Sequence, residues 1–416
     1  MKRNILFTLL IVMTVGMQSY AQDSVRVMHY NILRYGLDCN VDIATKTTWL
    51  KNIFDFYKPD ILTINEIGPE EAYANRIKLQ ALTYAPMDYA DNNNTANSFL
   101  VNRLFYNTDK FELVRLELIP GNLRDVDVWT LRDKKRAAAG DTLELSCIAM
   151  HLKAGSSSSD QSRRATAANA VMSWIQAKGP DFKNYLVMGD FNIGGASEPA
   201  WRAFTFNGNT DINLQDPTGK RAGWGASTVE ILTQAPTTSR GDCGVGGGLD
   251  DRFDAILTSQ AVLNNTAQYG YIPGSYEALG NDGRTPYDQE LDCQGNTSVP
   301  SSICGNLKQA SDHLPVVLQL LAGYPTSISQ TAWPQAHLFI APFRQNENPY
   351  LNIDISNQRR EVELVIVNMQ GQAIWNTTIE PNQTEVMLPM NRFAHGVYAV
   401  RIQNKQGRQK TLKFSW

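Results

Sequence analysis

Apolar residues recur along the chain with two different spacings. Short runs of consecutive or alternating apolar side chains predict β-strands, and before residue 324 they cover residues 25–30, 61–64, 143–150, 185–188, 255–257 and 315–321. Apolar residues three and four positions apart predict helices over residues 43–57 and 163–177. The pattern therefore indicates a domain that contains both strands and helices, with polar residues where each strand ends.

A second pattern begins near the carboxyl end. Residues 324–336 contain two prolines and predict a linker. Short alternating runs follow, and they predict a small all-β sandwich over residues 337–416. These runs cover residues 350–356, 362–368, 384–388, 397–403 and 410–416. Within the first part, residues 222–250 are rich in Gly, Ser and Thr, which predicts a long loop that walls a site.

The amino terminus has the layout of a signal peptide. Lys2 and Arg3 precede an apolar run that is too short to span a bilayer, and small residues lead up to Ala21. We therefore expect residues 1–21 to be removed and the domain at residues 22–323 to be secreted or displayed on the cell surface. No other stretch approaches the length of a membrane span, so stable membrane insertion is not expected.

An exported protein folds in an oxidising compartment, so the five cysteines are candidates for disulfides. Cys293 and Cys304 flank a short polar loop and are the favoured disulfide pair, whereas Cys147 lies in an apolar strand and is expected to be buried. No spacing among the five is typical of a zinc site. An odd number leaves at least one thiol free.

The first domain is acidic. Residues 22–323 contain 27 Lys and Arg against 35 Asp and Glu, a net charge of −8. This charge is not typical of a protein that binds nucleic acid tightly, because such binding depends on cations that contact phosphates. Acidic groups that hold metal ions would contribute to it.

Five polar clusters follow strand ends and carry the candidate chemistry. They contain, in chain order, Asn31, Glu66, His151, Asp190 with Asn192, and Asp312 with His313. Hydrolysis of a phosphate ester needs a hard cation, an activated water and hydrogen-bond donors for the developing charge. Carboxylates, amides and imidazoles supply these functions, so the clusters predict a metal-dependent hydrolase.

In this order, the clusters resemble the endonuclease/exonuclease/phosphatase superfamily of DNase I-like metal phosphoesterases. The matching residues are Asn31, Glu66, His151, the Gly-Asp-Phe-Asn run at 189–192, Arg252-Phe253-Asp254 and Ser311-Asp312-His313, and the match extends over residues 25–321. The resemblance implies an α+β fold, a four-layer α/β/β/α sandwich with the site at one edge of its two sheets.

The resemblance also implies a metal site. Asn31 and Glu66 would lie at the metal, and Asp312 would complete or flank the site. Magnesium takes oxygen ligands and keeps several waters, so one or two carboxylates suffice. Mg²⁺ is therefore the expected cofactor, with Mn²⁺ or Ca²⁺ as alternatives.

The same resemblance implies the catalytic roles. Asp190 would orient or deprotonate the attacking water, and Asn192 would hold Asp190 and the phosphate. His313, oriented by Asp254, would act as a base or as a donor to the phosphoryl oxygens. His151 would stabilise the pentacoordinate phosphorus or protonate the leaving oxygen. A hydrogen bond from a carboxylate fixes the imidazole tautomer and raises its basicity.

Two further residues are expected at the substrate, and one subfamily is disfavoured. Tyr106 and Arg252 are candidate substrate contacts, although Tyr106 beside Phe105 is equally explained by packing. Abasic-site endonucleases of the superfamily carry an acidic residue just after the first asparagine, where this chain has Ile32 and Leu33. The chain therefore departs from that subfamily.

The carboxyl-terminal region resembles the sorting domain of the type IX secretion system. Asn348-Pro349, the run at 362–371, Gly396-Val397-Tyr398 and a basic final strand at 410–413 carry this resemblance. It implies that the secretion machinery is a partner and that the protein crosses an outer membrane. The alternative is a substrate-binding or adhesive β-sandwich.

Three functions are compatible with these residues. The leading hypothesis is an exported nuclease that cleaves DNA or RNA, since His151 and His313 offer an acid and a base. The second is the same chemistry on a phospholipid, on sphingomyelin or on a soluble phosphate ester, and the acidic charge favours it. The third is a non-enzymatic surface protein on the same scaffold. A monomer is expected in each case.

Overall fold

The computed structural model describes most of the chain before residue 324 and isolated strands after it. The described residues are 24–120, 123–138, 140, 142–220, 224–323, 339–340, 350–352, 362–368, 372–379, 385–387, 393–394, 397–404 and 409–415. The predicted signal peptide and linker lie outside these residues, and the domain boundaries therefore stay predictions.

The first part contains twelve strands and seven α-helices among its described residues. The strands are β1 (Ser24–Tyr35), β2 (Ile61–Ile67), β3 (Met87–Ala90), β4 (Val101–Asn107), β5 (Phe111–Ile119), β6 (Val126–Asp133), β7 (Glu144–His151), β8 (Tyr185–Asp190), β9 (Asp254–Thr258), β10 (Tyr269–Tyr271), β11 (Glu277–Ala278) and β12 (Val316–Ala322). The helices are α1 (Ile43–Tyr57), α2 (Glu71–Arg76), α3 (Lys134–Ala138), α4 (Ser158–Ala177), α5 (Pro199–Thr205), α6 (Gln260–Leu263) and α7 (Ser301–Ala310). Shorter helical turns lie at Ile77–Ala81, Thr210–Ile212 and Val229–Ile231.

The twelve strands form two mixed sheets. The first has the order β10-β12-β1-β2-β4-β3, with β11 also paired to β12, and the second has the order β5-β6-β7-β8-β9. Within each sheet one neighbouring pair is parallel, β1 with β2 and β7 with β8, and the other pairs are antiparallel. Each sheet therefore has one parallel pair whose carboxyl ends open on the same side.

The two sheets pack face to face, with helices on both outer faces. Between the sheets, Val27 of β1 and Val316 of β12 belong to the same buried cluster as Trp129, Cys147 and Ile256 of the second sheet. Full burial of such an apolar side chain contributes about 2 kcal/mol relative to leaving it exposed. The inner faces of both sheets thus form the central core.

The outer faces form two further cores. Leu50 and Phe54 of α1 and Leu307 of α7 pack on the first sheet, whereas Val171 and Ile175 of α4 pack on the second. The layers are therefore helix, sheet, sheet and helix, which confirms the expected α/β/β/α sandwich.

Capping side chains set the ends of the two long helices. Asp42 accepts a hydrogen bond from Thr45 N at the start of α1, and α1 ends at Lys58, which adopts a left-handed conformation. Ser157 caps α4 by accepting from Asp160 N. Helix α1 has the bounds that the sequence predicts, and α4 begins five residues earlier than its prediction at 163.

Seven strands are described in the carboxyl-terminal part, β13 (Phe339–Ile340), β14 (Tyr350–Asn352), β15 (Val362–Asn368), β16 (Ala373–Ile379), β17 (Glu385–Met387), β18 (Val397–Asn404) and β19 (Gln409–Ser415). They form two antiparallel sheets in the orders β13-β14-β17 and β16-β15-β18-β19. The elements described in this part are strands, in agreement with the prediction. Across the described residues, no helix combines the length and apolarity that a membrane span requires.

Candidate active site

The strand register brings the predicted polar clusters to one edge of the two sheets. In the first sheet, Asn31 pairs with the residue that precedes Glu66. In the second, His151 pairs with Asp190 on the parallel neighbour, and Asp190 pairs with Asp254 on the antiparallel one. Since the sheets are packed on each other, the carboxyl ends of β1, β2, β7 and β8 lie close to the start of β9.

Glu66, His151 and Asp190 form a compact group of potential metal ligands. One ligand atom from each lies within 4.8 Å of the other two. His151 Nε2 is 3.4 Å from Asp190 Oδ2 and 3.9 Å from Glu66 Oε1. The Asn31 amide nitrogen donates to Glu66 Oε1 at 3.1 Å and to Asp190 Oδ2 at 2.9 Å. Asn31 therefore joins the carboxylates of the two sheets.

The backbone around Glu66 adopts conformations that are uncommon for residues with side chains. Leu33, Arg34 and Glu66 have φ values of 49°, 50° and 63°. The resulting turn aims Arg34 N at Glu66 Oε2 with a distance of 3.1 Å, and Asn31 Oδ1 accepts from Leu33 N at 3.0 Å. The buried Lys46 ammonium group donates to the Leu33 carbonyl. Backbone strain of this kind is concentrated at functional sites.

The Gly-Asp-Phe-Asn run makes a tight turn that fixes Asp190. A Cβ atom at Gly189 would overlap the Met150 carbonyl oxygen on the neighbouring strand, so only glycine fits there. Asn192, with φ of 49°, donates its backbone N–H to Asp190 Oδ1 at 3.1 Å and its amide to the Leu152 carbonyl at 3.2 Å. Asn192 therefore holds Asp190 directly.

The charge of this group suits a divalent cation. Burial, reinforced by the Asp254 and Glu66 charges and opposed by His313, raises the pKa of Asp190 to about 7. Among the described residues, neither Glu66 nor Asp190 has a Lys or Arg ion-pair partner within 4.0 Å. Two uncompensated carboxylates and an imidazole nitrogen are a donor set that accepts divalent metals. Glu66, Asp190 and His151 thus fit such an ion.

His151 is held in its neutral form. Burial lowers the pKa of His151 well below its usual value, and the nearby Arg124 and His313 charges lower it further. Arg124 donates weakly to the carbonyls of His151 and Leu152 at 3.4 and 3.5 Å. His151 Nδ1 is buried and has no hydrogen-bond partner among the described residues. The ring can therefore ligate a cation or hydrogen-bond to substrate without carrying charge.

His313 and Asp254 form a buried pair on the other side of Asp190. His313 Nδ1 is 2.7 Å from Asp254 Oδ2, and His313 Nε2 is 3.8 Å from Asp190 Oδ2. Burial opposes protonation, but the charges of Asp254 and Asp190 outweigh it and raise the pKa of His313 well above its usual value. The Gln234 side-chain amide lies 2.8 Å from His313 Nε2 and can present nitrogen or oxygen to it. Gln234 can therefore hydrogen-bond to either form of the ring.

A third histidine lies beneath this pair. His29 Nδ1 is 2.9 Å from Thr63 Oγ1, and His29 Nε2 is 3.8 Å from Asp254 Oδ1. Burial lowers the pKa of His29 to about 4, although Asp254 acts in the opposite direction. His29 is fully buried and neutral, so it lies behind Asp254 and does not contact substrate.

Asp312 lies on the wall of the site and outside both groups. Its Oδ2 accepts a hydrogen bond from Val245 N at 2.7 Å, and its Oδ1 is 4.0 Å from His313 Nε2. The preceding Ser311 donates its hydroxyl to the Asn31 carbonyl at 2.7 Å, which attaches this segment to β1. The geometry therefore groups Glu66 with Asp190 and His151, and leaves Asp312 as a neighbour.

These residues open into one cleft of about 560 Å³. Glu66, His151, Asp190, Asn192, Asp312 and His313 all line it. Glu198 and Asp251 add further acidic groups to the lining, and Arg34 and Arg164 are its basic side chains among the described residues. Arg164 is bound to Glu198 at 2.6 Å, so its charge is already compensated. Phe99, which is 63% exposed, forms an apolar part of the lining.

Two sequence-predicted substrate contacts do not line the cleft. Tyr106 pairs with Ile61, at the opposite end of β2 from Glu66, and packs in the core between the sheets. Arg252 is 2% exposed and forms two hydrogen bonds with Asp216 at 2.6 and 2.9 Å. Its guanidinium also lies 5.4 to 5.8 Å from the ring centres of Trp201, Trp224 and Tyr276. Both side chains are occupied by packing and cannot reach the cleft.

A buried polar chain behind Asp190 was not predicted. Asn65 Oδ1 accepts from Asp190 N at 2.9 Å, and Asn65 Nδ2 donates to Asn102 Oδ1 at 2.7 Å. Asn102 in turn donates to Asp127 Oδ2 at 3.0 Å. The position of Asn65 beside Glu66 is the only sequence signal for this chain, because Asn102 and Asp127 lie on strands that the pattern did not reveal.

The structure contains two disulfides. Cys293 is joined to Cys304, the pair that the sequence favours, and Cys39 is joined to Cys243 across 204 positions. Cys147 is the free thiol, and burial raises its pKa to about 12. Its position in β7 agrees with a purely structural role.

One family model matches the chain in sequence. Residues 347–415 match a secretion system C-terminal sorting domain, in agreement with the resemblance noted for this region. No curated protein matches the chain.

Several solved structures are similar to the first part of the chain. D. rerio TDP2, complexed with single-strand DNA product, is 15% identical with a TM-score of 0.45, over 71% of this chain and 98% of that one. The human Nocturnin catalytic domain with bound sulfate is 16% identical with a TM-score of 0.46, over 72% and 97%. A Bacteroides thetaiotaomicron mannosyl-6-phosphatase is 17% identical with a TM-score of 0.44, over 71% and 99%. At these identities residue roles rest on the geometry of this chain.

Proposed function

We propose that the protein is a divalent-metal-dependent hydrolase of phosphate esters. One observation carries the proposal: Asp190 lies between the Glu66–His151 group and the Asp254–His313 pair, within 3.8 Å of both histidines. A cation site and an acid–base pair thus share one carboxylate in one cleft. This is the combination that in-line attack of water on phosphorus requires.

The proposed division of roles follows from the distances. Glu66, supported by Asn31 and joined by His151, holds the cation, which would polarise a phosphoryl oxygen and offset the charge that develops there. Asp190, held by Asn192, shares the cation with Glu66 and orients the attacking water. His313, oriented by Asp254, is protonated near neutral pH and donates to the phosphoryl oxygens. Asp312 flanks the site and completes its acidic wall.

The metal is proposed to be Mg²⁺, with Mn²⁺ or Ca²⁺ as alternatives. The two carboxylates suit all three ions. The imidazole of His151 favours Mn²⁺ over the other two if it ligates directly, because nitrogen donors suit transition metals better. Measured activity in each metal separates these possibilities.

Two substrate classes are proposed. A nucleic acid is supported by the two histidines near Asp190, which can serve a phosphodiester as acid and base. A compact phosphate ester with an organic leaving group is favoured by the cleft itself. Apart from the Arg164–Glu198 ion pair, the described lining has four acidic residues (Glu66, Asp190, Asp251 and Asp312) and one Lys or Arg, which is Arg34. A long polyanion gains most of its affinity from cations, so the compact ester fits this lining better.

A substrate panel tests the proposal. The purified protein is incubated with DNA, RNA, sphingomyelin, sugar phosphates and aryl phosphates in Mg²⁺, Mn²⁺ or Ca²⁺, and then with EDTA. We expect turnover of at least one phosphate ester that falls by more than about 100-fold on chelation. Turnover that survives EDTA, or its absence on every substrate with every metal, would refute the proposal.

Phe99 is expected to contact the leaving group. Phe99→Ala removes an exposed ring from the cleft and should raise KM for aryl phosphates about 5-fold to 20-fold with little change in kcat, a loss of about 1–2 kcal/mol. Phe206→Ala is the matched control, because Phe206 is 62% exposed and does not line the cleft. Equal KM values for the two variants would show that Phe99 does not bind substrate.

Export is proposed to follow from the carboxyl-terminal region. The match at 347–415 to a secretion sorting domain supports delivery by the type IX machinery, and the expected signal peptide at 1–21 supports prior passage through an inner membrane. Two disulfides suit an oxidising compartment. The protein is therefore proposed to act outside the cell or at its surface, as a monomer with a catalytic domain at 22–323.

A further inference from the structure

A short loop is fastened across the wall of the cleft. Residues 240–245, called the strap below, are anchored at one end by Arg240, which donates to the carbonyls of Lys308 and Ser311 at 2.9 and 2.7 Å. These carbonyls lie at the end of α7, where a cation is stabilising. Arg240 also forms an ion pair with Asp242 inside the strap at 2.7 Å. Arg240 therefore fixes the first half of the strap to the helix that precedes the site.

The second anchor is covalent. Cys243, in the middle of the strap, forms a disulfide with Cys39 in the loop that follows β1. Cys39 is 5% exposed, and Cys243 lines the cleft. The disulfide thus connects two loops on the active-site edge of the molecule that are 204 positions apart in the chain.

The strap and the end of β1, which leads into the loop of Cys39, each give a backbone N–H to an acidic residue of the site. Two positions after Cys243, Val245 N donates to Asp312 Oδ2 at 2.7 Å. Five positions before Cys39, Arg34 N donates to Glu66 Oε2 at 3.1 Å. Hydrogen bonds from N–H groups to carboxylates are strong and directional, so they set the orientation of the acceptor. One sulfur–sulfur bond therefore joins the two segments that orient Glu66 and Asp312.

We propose that the Cys39–Cys243 disulfide is a positioning element of the active site. It fixes the strap and the loop after β1, so that Arg34 orients Glu66, which holds the cation, and Val245 orients Asp312 on the adjoining acidic wall. The inference rests on the proposed function, because it assigns a consequence to the cation site. Its specific content is that cation affinity and turnover depend on this disulfide beyond its effect on overall stability.

Reduction of the Cys39–Cys243 disulfide releases the strap from the loop after β1. A dithiol such as dithiothreitol transfers two electrons and two protons to the Cys39–Cys243 bond and leaves as its cyclic disulfide. The products in the protein are two free thiols. Without the covalent link, the strap keeps the Arg240 anchor but is released at Cys243, next to Val245.

The second disulfide of the protein provides the control for removing the first. The Cys293–Cys304 disulfide spans 11 positions, and neither of its residues lines the cleft. Removing either disulfide lowers stability, because each restricts the unfolded chain. The thermal midpoint therefore does not separate a positioning role from a structural one, whereas affinity for the cation does.

The test compares the wild type with the Cys39→Ser/Cys243→Ser and Cys293→Ser/Cys304→Ser variants. Mn²⁺ binding is measured by calorimetry at a temperature where circular dichroism shows all three folded, and kcat/KM is measured on the substrate identified by the panel. We expect the first variant to bind Mn²⁺ at least about 10-fold more weakly and to lose about 10-fold to 100-fold in kcat/KM. The second variant should stay within twofold of wild type. Dithiothreitol should weaken Mn²⁺ binding by the wild type and by the second variant, and have no further effect on the first.

A backbone variant tests the same idea with both disulfides intact. Val245→Pro removes the N–H that Asp312 accepts and should weaken Mn²⁺ binding, whereas Val245→Ala retains the N–H and should keep the affinity. This pair gives the answer if the cysteine variant does not fold.

The outcomes are distinguishable. Wild-type Mn²⁺ affinity and kcat/KM in the folded Cys39→Ser/Cys243→Ser variant, or equal affinities of the proline and alanine variants, would overturn the strap inference alone. A wild-type protein that neither binds Mn²⁺ nor hydrolyses any phosphate ester would overturn the proposed function and the strap inference with it.

Discussion

Asp190→Asn is expected to abolish hydrolysis and, at the same time, to stabilise the metal-free protein at pH 8. The side chain is 2% exposed, and burial together with the neighbouring charges raises its pKa to about 7. A raised carboxyl pKa in the folded state means that the stability contributed by the protonated form is present below the unfolded pKa and is lost as pH rises through about 7. At pH 8 the metal-free protein therefore holds a buried carboxylate charge that His313 offsets only in part, and asparagine removes this charge.

The expected gain in unfolding free energy at pH 8 is on the order of 1–3 kcal/mol, and at about pH 4, close to the pKa of an aspartate in the unfolded chain, the difference should be small. Denaturant unfolding in EDTA at both pH values measures it. With Mn²⁺ present the order should reverse, because only the wild type binds the ion tightly. The loss in kcat/KM should be on the order of 1000-fold, since asparagine cannot hold or deprotonate the attacking water. A variant that is less stable than wild type at both pH values in EDTA would contradict this account of Asp190.

Asp254→Asn is expected to lower kcat/KM on the order of 100-fold and to move its alkaline decline to lower pH. Asp254 accepts from His313 at 2.7 Å and is a principal cause of the raised His313 pKa. If the protonated ring donates to the phosphoryl oxygens, activity is lost as pH rises through that pKa. Burial lowers the pKa of His313, and in Asp254→Asn the carboxylate charge that opposes this effect is gone. The pKa of His313 therefore falls, and the decline in kcat/KM begins at lower pH.

The pH dependence of kcat/KM between pH 5 and 10 measures this shift. His313→Gln is the control, because it removes the titrating ring and should eliminate that part of the alkaline decline in both the wild-type and the Asp254→Asn backgrounds. If the alkaline decline in kcat/KM lies at the same pH in the wild type and in Asp254→Asn, another group produces it. A decline that moves to higher pH in Asp254→Asn would contradict the expected fall in the His313 pKa.

The fold was predictable where apolar periodicity is local. Helix α1 and strand β15 have the bounds that the sequence predicts, because α1 buries Leu50 and Phe54 at the helical repeat and β15 contains the apolar, buried run at 364–367. Strands β3 to β6 were not predicted. In β4, Asn102 and Arg103 are buried as polar residues that are satisfied by partners far along the chain, so the strand lacks the expected apolar pattern.

The site was predictable as a set of strand ends but not in its internal arrangement. The sequence names Glu66, Asp190 and His313, yet it cannot tell which carboxylates face each other, since that depends on how one sheet packs on the other. The prediction lets Asp312 complete or flank the metal site and assigns Asp190 to the attacking water, whereas in the structure Asp190 lies beside Glu66 and His151. The surroundings of Arg252 were not predictable for a related reason, because its partner Asp216 and its three aromatic neighbours come from distant segments.

One of the two disulfides was predictable from the sequence and the other was not. Cys293 and Cys304 are close in sequence, so a short loop suggests their pairing, whereas Cys39 and Cys243 are brought together only by the folded edge of the sheets. The strap that this second bond holds was visible in the sequence only as part of a Gly-rich and Ser-rich loop that could wall a site.

Anomalous diffraction from a Mn²⁺-soaked crystal tests the central claim most directly. We predict one strong manganese peak in the cleft, at ligand distance from a carboxylate oxygen of Glu66 and one of Asp190, and close to His151 Nε2. A peak bound elsewhere, or a cleft without manganese at concentrations that support hydrolysis, would contradict the claim that these side chains form the metal centre of a phosphoesterase.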